Sequence, residues 1–525
     1  MELFKISLGE WAPEGGEALY VRPEGDVSVD GGALTLGKGA RVSLDTYFNS
    51  FSSGKYDRYT VVEEVTYSAT VSGNLAVRLH EVRGGSERTV GEKRIVSDEP
   101  TEVSFGFEIA GLADGAPARH YVSFEALDAS IVHDAGGFHC DAIPGDVSMA
   151  AVICTFNREP HVKETLSRIR GMLEDPGYGL DGEIQVIVVD NGRSLSDSWE
   201  GHPDMALLPN RNLGGSGGFA RGMLEAIGRG RTHTLLMDDD ETVDPNVLYK
   251  TLNLLRVLKD EYRDAQILGG MLLNDDPAVQ YEAGSRNLRR LKGDLDFRGG
   301  SSLAENESEE PIDYGAWWYL CFPTSLAEDN LPMPFFIRVD DVEFGLRNPG
   351  LRIVMNGIGV WHDRFEGRAN KAVEHYYTER NTLYLWSMHG VRPHPFAVRY
   401  WYKTIYLALS SNYDSLRIFR QAVEDYLDGI GFLETVDGEA NHGKISEMAQ
   451  SPRESTLLGN GLGHMLGNLF SKRFFGNVLE SLRLFIRYLR ESGGARFSIR
   501  HGWGGLVTPR SWEKRFFDDA RDQDT

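Results

Sequence analysis

The run Val147-Ser148-Met149-Ala150-Ala151-Val152-Ile153-Cys154 is almost wholly apolar. Such a run marks a strand covered on both faces. A helical pattern follows over 159–172, then a second apolar strand, Ile184-Gln185-Val186-Ile187-Val188-Val189. A Gly-rich loop, a helix over 219–227 and the strand Thr234-Leu235-Leu236-Met237 come next. Strands alternating with helices predict a mainly parallel α/β sheet, placed here at 146–385.

The flanks read differently. Residues 1–145 carry runs such as Tyr59-Thr60-Val61-Val62, Leu75-Ala76-Val77-Arg78-Leu79 and Tyr121-Val122-Ser123-Phe124 between polar turns. Many short strands of this kind predict a sandwich or barrel. Residues 386–525 read as a helical domain. The Gly-, Ser- and Glu-rich segment 298–310 reads as a mobile loop within the central domain. With 525 residues, about three domains are expected. A net charge of −23 argues against nucleic-acid binding as the main task. Three widely spaced cysteines, Cys140, Cys154 and Cys321, suggest neither a disulfide framework nor a zinc knuckle, and fit a reducing compartment. No secretory leader and no apolar stretch of membrane-spanning length is read, so a cytoplasmic chain is expected.

Chemistry gathers where strands end. Asp238-Asp239-Asp240 directly follows the strand ending in Met237. Side chains alternate in extended backbone, so Asp238 and Asp240 can face one side and bind a hard divalent cation, leaving positions for diphosphate oxygens. Open α/β sheets bind ligands at the carboxyl ends of their strands, which favours this reading over a solvated turn before the helix at Asp244-Pro245. The first strand ends in Cys154-Thr155-Phe156-Asn157-Arg158 and the second in Asp190-Asn191-Gly192. Polar groups at these two strand ends can read uracil and ribose, and Arg158 can meet phosphate, although Asp-Asn-Gly also reads as a plain turn. Asn212-Leu213-Gly214-Gly215-Ser216-Gly217-Gly218 lets backbone approach a ligand ahead of a helix, or serves packing alone. In Arg338-Val339-Asp340-Asp341-Val342-Glu343, carboxylates follow an apolar run. Asp341 is placed to take a proton from an attacking hydroxyl. Asp340 or Glu343 can orient an acceptor or pair with Arg347. His362, in Val360-Trp361-His362, can complete a site with two carboxylates that suits manganese better than calcium. Trp317-Trp318 can form a platform for sugar rings or pack in a core.

Together TFNR at 155–158, NLGGSGG at 212–218, MDDD at 237–240, WW at 317–318, FIRVDDVEFGLR at 336–347 and WH at 361–362 resemble glycosyltransferase family 2 proteins with the GT-A fold. More narrowly, they resemble the polymerising galactofuranosyltransferases of actinobacterial cell-wall galactan synthesis. The resemblance implies Asp238, Asp240 and His362 as ligands of Mn2+ or Mg2+, with Asp341 as base and Asp340 beside it. It implies donor contacts from Thr155, Phe156, Arg158, Asp190, Asn212, Gly214, Gly215 and Asp239. Trp317, Trp318, Glu343 and His375 would line the acceptor path. The implied reaction inverts the anomeric carbon, with UDP-galactofuranose as donor and a lipid-linked galactan as acceptor, in a homo-oligomer.

Over 462–490, Leu466, Leu469, Phe470, Phe474, Val478, Leu482, Phe485 and Leu489 recur at spacings of three and four, with Lys472, Arg473, Arg483, Arg487 and Arg490 between them. Such a helix can lie on the anionic inner face of a membrane, or pack in a core or between subunits. Two other functions stay open. One is a family 2 transferase using a galactopyranose or rhamnose donor. The other is a non-catalytic carbohydrate-binding protein acting through the β-domain.

Overall fold

The computed structural model describes residues 1–196, 199, 201–274, 276–282, 285–286, 296–297, 303–309, 311–363, 370–390, 394–449, 467–469 and 471–517. The N-terminal part is one eight-stranded antiparallel sheet. It is dominated by Glu64–Arg83, Ser86–Glu108 and Ala118–His139, strands of 20, 23 and 22 residues. These are longer than the short strands expected. Ser72-Gly73-Asn74 forms an irregularity inside a continuing strand, where Gly73 takes φ +105°. Tyr59, read as opening a strand, instead closes the helix Ser53–Tyr59.

The central sheet runs in the order Met205–Pro209, Ile184–Asp190, Met149–Thr155, His233–Met237, Leu320–Pro323, Gln266–Leu273, Asp276–Glu282, with Arg352–His362 paired parallel to Gln266–Leu273. The first four strands are parallel. Leu320–Pro323 is antiparallel to both neighbours, so the sheet is mixed beyond His233–Met237. Arg352–His362 is one strand in spite of the glycines at 357 and 359. Val354 pairs with Leu268 and Gly359 with Gly270, so the intervening residues bulge out, and Gly357 there takes φ +81°.

That bulge meets the N-terminal part. Tyr47 Oη donates to the Ile358 carbonyl at 2.7 Å, and from the central part itself the buried Lys250 Nζ donates to the Asn356 carbonyl at 3.0 Å. Trp361 packs on Phe48 and Tyr20, with ring centroids 5.3 and 6.1 Å away. Of the segment read as a mobile loop, 298–302 and 310 lie outside the described residues. Leu303–Glu307 is a short helix whose buried Glu307 accepts from Ser52 Oγ at 2.7 Å and Asn356 Nδ2 at 2.6 Å.

The C-terminal part is helical, as expected, and packs its own apolar core around Tyr384, Tyr400, Phe419 and Tyr488. Of the apolar series over 462–490, Leu466 and Phe470 lie outside the described residues. Within the helix Lys472–Gly502, Phe474 is buried. The exposed apolar stripe is Phe475, Leu479, Leu482, Ile486 and Leu489. Among the described residues no helix is long and apolar enough to cross a membrane.

Candidate active site

Four strand ends build the site. Met149–Thr155, Ile184–Asp190 and His233–Met237 are parallel and in register, so their carboxyl ends open on one side. A cleft of about 500 Å³ lies there. It is lined by Thr155, Phe156, Arg158, Asn212, Gly214, Gly215, Asp238, Asp239, Asp240 and His362 among those expected. Its volume is in the range of small-molecule sites.

One ligand atom each from Asp238, Asp240 and His362 lies within 4.8 Å of the others, a spacing that fits a divalent cation. The antiparallel bridge of Thr242 to Trp361 brings the end of the Arg352–His362 strand to the acidic triplet. His362 Nδ1 is 2.5 Å from the Asp363 carbonyl. A carbonyl can only accept, so Nδ1 carries the hydrogen and Nε2 holds the lone pair a metal needs. Nε2 lies 3.6 Å from Asp240 Oδ1.

The electrostatics fit the same conclusion. Burial, then the charges of Asp240, Asp239, Asp340 and Asp341, push the Asp238 carboxyl up to about 8. Burial also raises Asp239, and burial with the charge of Asp340 raises Asp341. Arg158 Nη1 meets Asp240 Oδ2 at 2.5 Å and Asp239 Oδ1 at 3.3 Å. Asp239, expected among the donor contacts, lines the cleft and takes this contact. Five buried or half-buried carboxylates gathered near Arg158 and Arg338 are a natural seat for a cation.

The glycine run is the start of a helix, Gly214–Gly228, rather than a loop before one. Gly214 takes φ +68°, and a Cβ there would lie 2.1 Å from the Phe336 carbonyl oxygen. A Cβ on Gly218 would meet Cys154 Sγ at 2.0 Å, and one on Gly222 would meet Val152 Cγ1 at 2.1 Å. These last two glycines seat the helix on the first strand. Gly214 and Gly215 face the cleft.

Opposite stands the helix Asp340–Arg347. Asp340 Oδ2 accepts from Ser216 Oγ at 2.7 Å, and Asp341 is half-buried at the second helical position. The approach is strained. Phe336, Arg338 and Val339 take φ of +75°, +69° and +66°. Each non-glycine residue so held costs about 1–3 kcal/mol, and such residues cluster at functional sites.

Several expectations are corrected. Asp190 is fully buried and accepts from the Gly192 and Leu195 amides, shaping its own turn rather than the cleft. Trp317 packs edge-on against Phe219 and Phe344, and Trp318 Nε1 donates to the Gly269 carbonyl at 2.9 Å. Both tryptophans are buried and neither lines the cleft, so no open platform is formed. Glu343 is buried in a two-pronged pair with Arg347, at 2.7 and 3.0 Å, which takes it away from an acceptor. His375 is buried in the π-helical turn Val373–Tyr377 and is not among the lining residues.

The structure also adds residues. Asn191 Nδ2 donates to the Gly214 carbonyl at 3.0 Å and lines the cleft. Its signal was the turn that also contains Asp190. His442, on the helix Gly438–Met448, stacks on Phe336 at 5.3 Å and lines the far wall. No local pattern announces it, because its partner is about a hundred residues away in the chain.

A mixed α/β sheet with paired aspartates after its fourth strand in sequence, opening on a cleft, is the arrangement of a glycosyltransferase-type domain. Residues 144–297 match the family model described as glycosyltransferase like family 2, and residues 22–138 match galactofuranosyltransferase 2 N-terminal. Among curated relatives, galactofuranosyltransferase GlfT2 of Mycolicibacterium smegmatis is 28% identical over 76% of this chain and 65% of its own. GlfT2 of Mycobacterium tuberculosis is 28% identical over 76% of this chain and 67% of its own. GlfT1 of the same species is 30% identical over 38% of this chain and 64% of its own. Residues 144–297 thus carry a domain of the glycosyltransferase family 2 type, and the chain spans about two thirds of the length of the galactofuranosyltransferases it is similar to. A solved cellulose-binding domain from Cellulomonas fimi matches over 26% of this chain and 98% of its own, at 18% identity and a TM-score of 0.18, too slight a likeness to bear on fold or ligand.

Proposed function

We propose that this chain transfers galactofuranose from UDP-galactofuranose to a glycan acceptor, a lipid-linked galactan or a related chain, with inversion. The observation that carries the reading is the grouping of Asp238, Asp240 and His362 in a cleft whose opposite side begins the Asp340–Arg347 helix. Bound there, Mn2+ or Mg2+ would neutralise the diphosphate of the donor and the charge that builds as it departs. The exposed Phe156 offers a face for the uracil, and the amino end of the Gly214–Gly228 helix favours an anion. Arg158 would exchange its carboxylate partners for phosphate oxygens.

In a single displacement, the acceptor hydroxyl gives its proton to an Asp341 oxygen while its own oxygen bonds the anomeric carbon. The bond from that carbon to the diphosphate oxygen breaks, and UDP leaves with the bonding pair. A carboxyl raised by burial and by a neighbouring charge holds such a proton better than a free aspartate. The exposed stripe on Lys472–Gly502, with Lys472, Arg473, Arg483 and Arg490 on the same helix, supports peripheral contact with an anionic membrane at its inner face. Homo-oligomer formation belongs to the same reading.

The test is UDP or dTDP release from a panel of nucleotide sugars, with and without Mn2+, in the presence of a galactofuranosyl acceptor. Metal-dependent turnover with UDP-galactofuranose is expected. Turnover with a pyranose or rhamnose donor alone would replace the donor assignment. No turnover with any donor would leave carbohydrate binding as the reading.

A further inference from the structure

The three left-handed residues before Asp340 need something to hold them, and the helix Thr378–Met388 supplies it. Asn381 is fully buried. Its Nδ2 donates to the carbonyls of Ile337 at 2.9 Å and Arg338 at 2.8 Å, and lies 3.4 Å from that of Phe335. Arg380 is buried beside it and donates through Nη2 to the Phe335 carbonyl at 2.7 Å. The Ser216 amide takes the Phe336 carbonyl at 3.2 Å. Successive carbonyls of the loop are therefore tied down from outside the loop.

The orientation of the Asn381 amide follows from its partners. Arg380 Nε lies 2.9 Å from Asn381 Oδ1 and can only donate, so that atom is an acceptor. The loop carbonyls can only accept, so the other atom is the NH2 group. Arg380 thus aims Asn381, and Asn381 aims the loop. Arg380 is itself stacked on Tyr376 and Tyr377, at 4.9 and 5.1 Å from the ring centroids.

We infer that Asn381, aimed by Arg380, is a positioning residue that holds the Phe336–Val339 loop, three of whose residues line or approach the cleft, in its strained form and so sets where Asp341 stands beside it. The consequence for rate rests on the transferase reading. The brace itself does not, because it can be read without any reaction.

The test is Asn381→Asp in the full chain. This isosteric change keeps a partner for Arg380 but turns an acceptor toward three carbonyls. Amide hydrogen exchange over 336–343 is expected to quicken at least about tenfold while the Met149–Thr155 strand is unchanged. With Mn2+ and UDP-galactofuranose, kcat should fall about thirtyfold or more, while KM for the donor and the Mn2+ midpoint stay within about twofold. Asn381→Asp with Val339→Gly should recover part of kcat, since glycine adopts the left-handed backbone freely. Unchanged exchange over 336–343 would overturn the brace. So would a fall in kcat matched by equal losses in metal and donor binding. Altered exchange in a chain with no transferase activity would leave the brace standing and sink the assigned reaction. If Asn381→Asp does not fold, Asn381→Ser carries the same exchange test.

Discussion

Ser216 donates its hydroxyl to Asp340 Oδ2 at 2.7 Å, joining the first turns of two helices that begin on opposite sides of the cleft. Ser216 is fully buried. Its removal takes from a buried carboxylate its side-chain donor and leaves it the backbone amides of Asp340 and Asp341, at a cost of about 1.5–3 kcal/mol. Ser216→Ala should lower stability by that amount in urea titration. It should also depress kcat more than KM for the donor. Native stability in Ser216→Ala would show that the bond carries no load.

Asp240, which lines the cleft, and Asp341, which stands beside it, should fail in different ways. Asp240→Ala should abolish most Mn2+ binding by calorimetry and, with it, donor affinity. Asp341→Asn should keep both and lose kcat by about 10²–10⁴-fold, the span expected for removal of a general base. Near-native turnover in Asp341→Asn would move the base elsewhere, with Asp340 the next candidate.

Metal binding should be proton-linked. Asp238 is held near 8, so below that pH a cation must displace its proton. The apparent Mn2+ affinity should rise with pH up to about 8, by as much as about tenfold per unit for this one proton. The sign for folding agrees. A carboxyl raised from 3.8 to about 8 makes the native metal-free chain bind more protons than the unfolded one, so this group's contribution to stability falls as pH rises between them. His120 and His233, held down to about 4, act in the opposite sense below about 6.5, and Lys250, held down to about 7, does so above that value. None of the three lines the cleft, so the gain in Tm caused by Mn2+ isolates the effect. That gain should grow from about pH 6 to about pH 8. A gain independent of pH would contradict the assignment of Asp238 as a ligand.

Glu343 should behave as a structural group. Its pair with Arg347 is almost fully buried, and breaking such a pair from one side costs about 3–5 kcal/mol. Glu343→Gln is expected to lower Tm strongly and leave the acceptor KM of the remaining folded protein unchanged. A raised acceptor KM at native Tm would restore Glu343 to the acceptor path.

The strand ends were readable because an apolar run followed by carboxylates leaves few alternatives. Asp238, Asp240 and His362 meet where that pattern placed them. Residues whose role depends on partners far along the chain were not readable. Trp317 and Trp318 carry the same letters whether they face a sugar or fill a core, and Phe219, Phe344 and Gly269 decide it. Asp190 looked like a ligand group because its bonds to Gly192 and Leu195 depend on how the chain turns after it. Asn381 lies in an ordinary helical stretch, and only the strained backbone opposite gives it a task.

The stacking of Trp361 on Tyr20 and Phe48 makes one apolar core of what the sequence divides in two. A chain cut between them would leave the strand that ends in His362 with a bare aromatic face and an unsupported bulge. The grouping of His362 with Asp238 and Asp240 is therefore a joint property of both parts. The β-sheet cannot be exchanged like a bead on a string, because its removal would unseat His362.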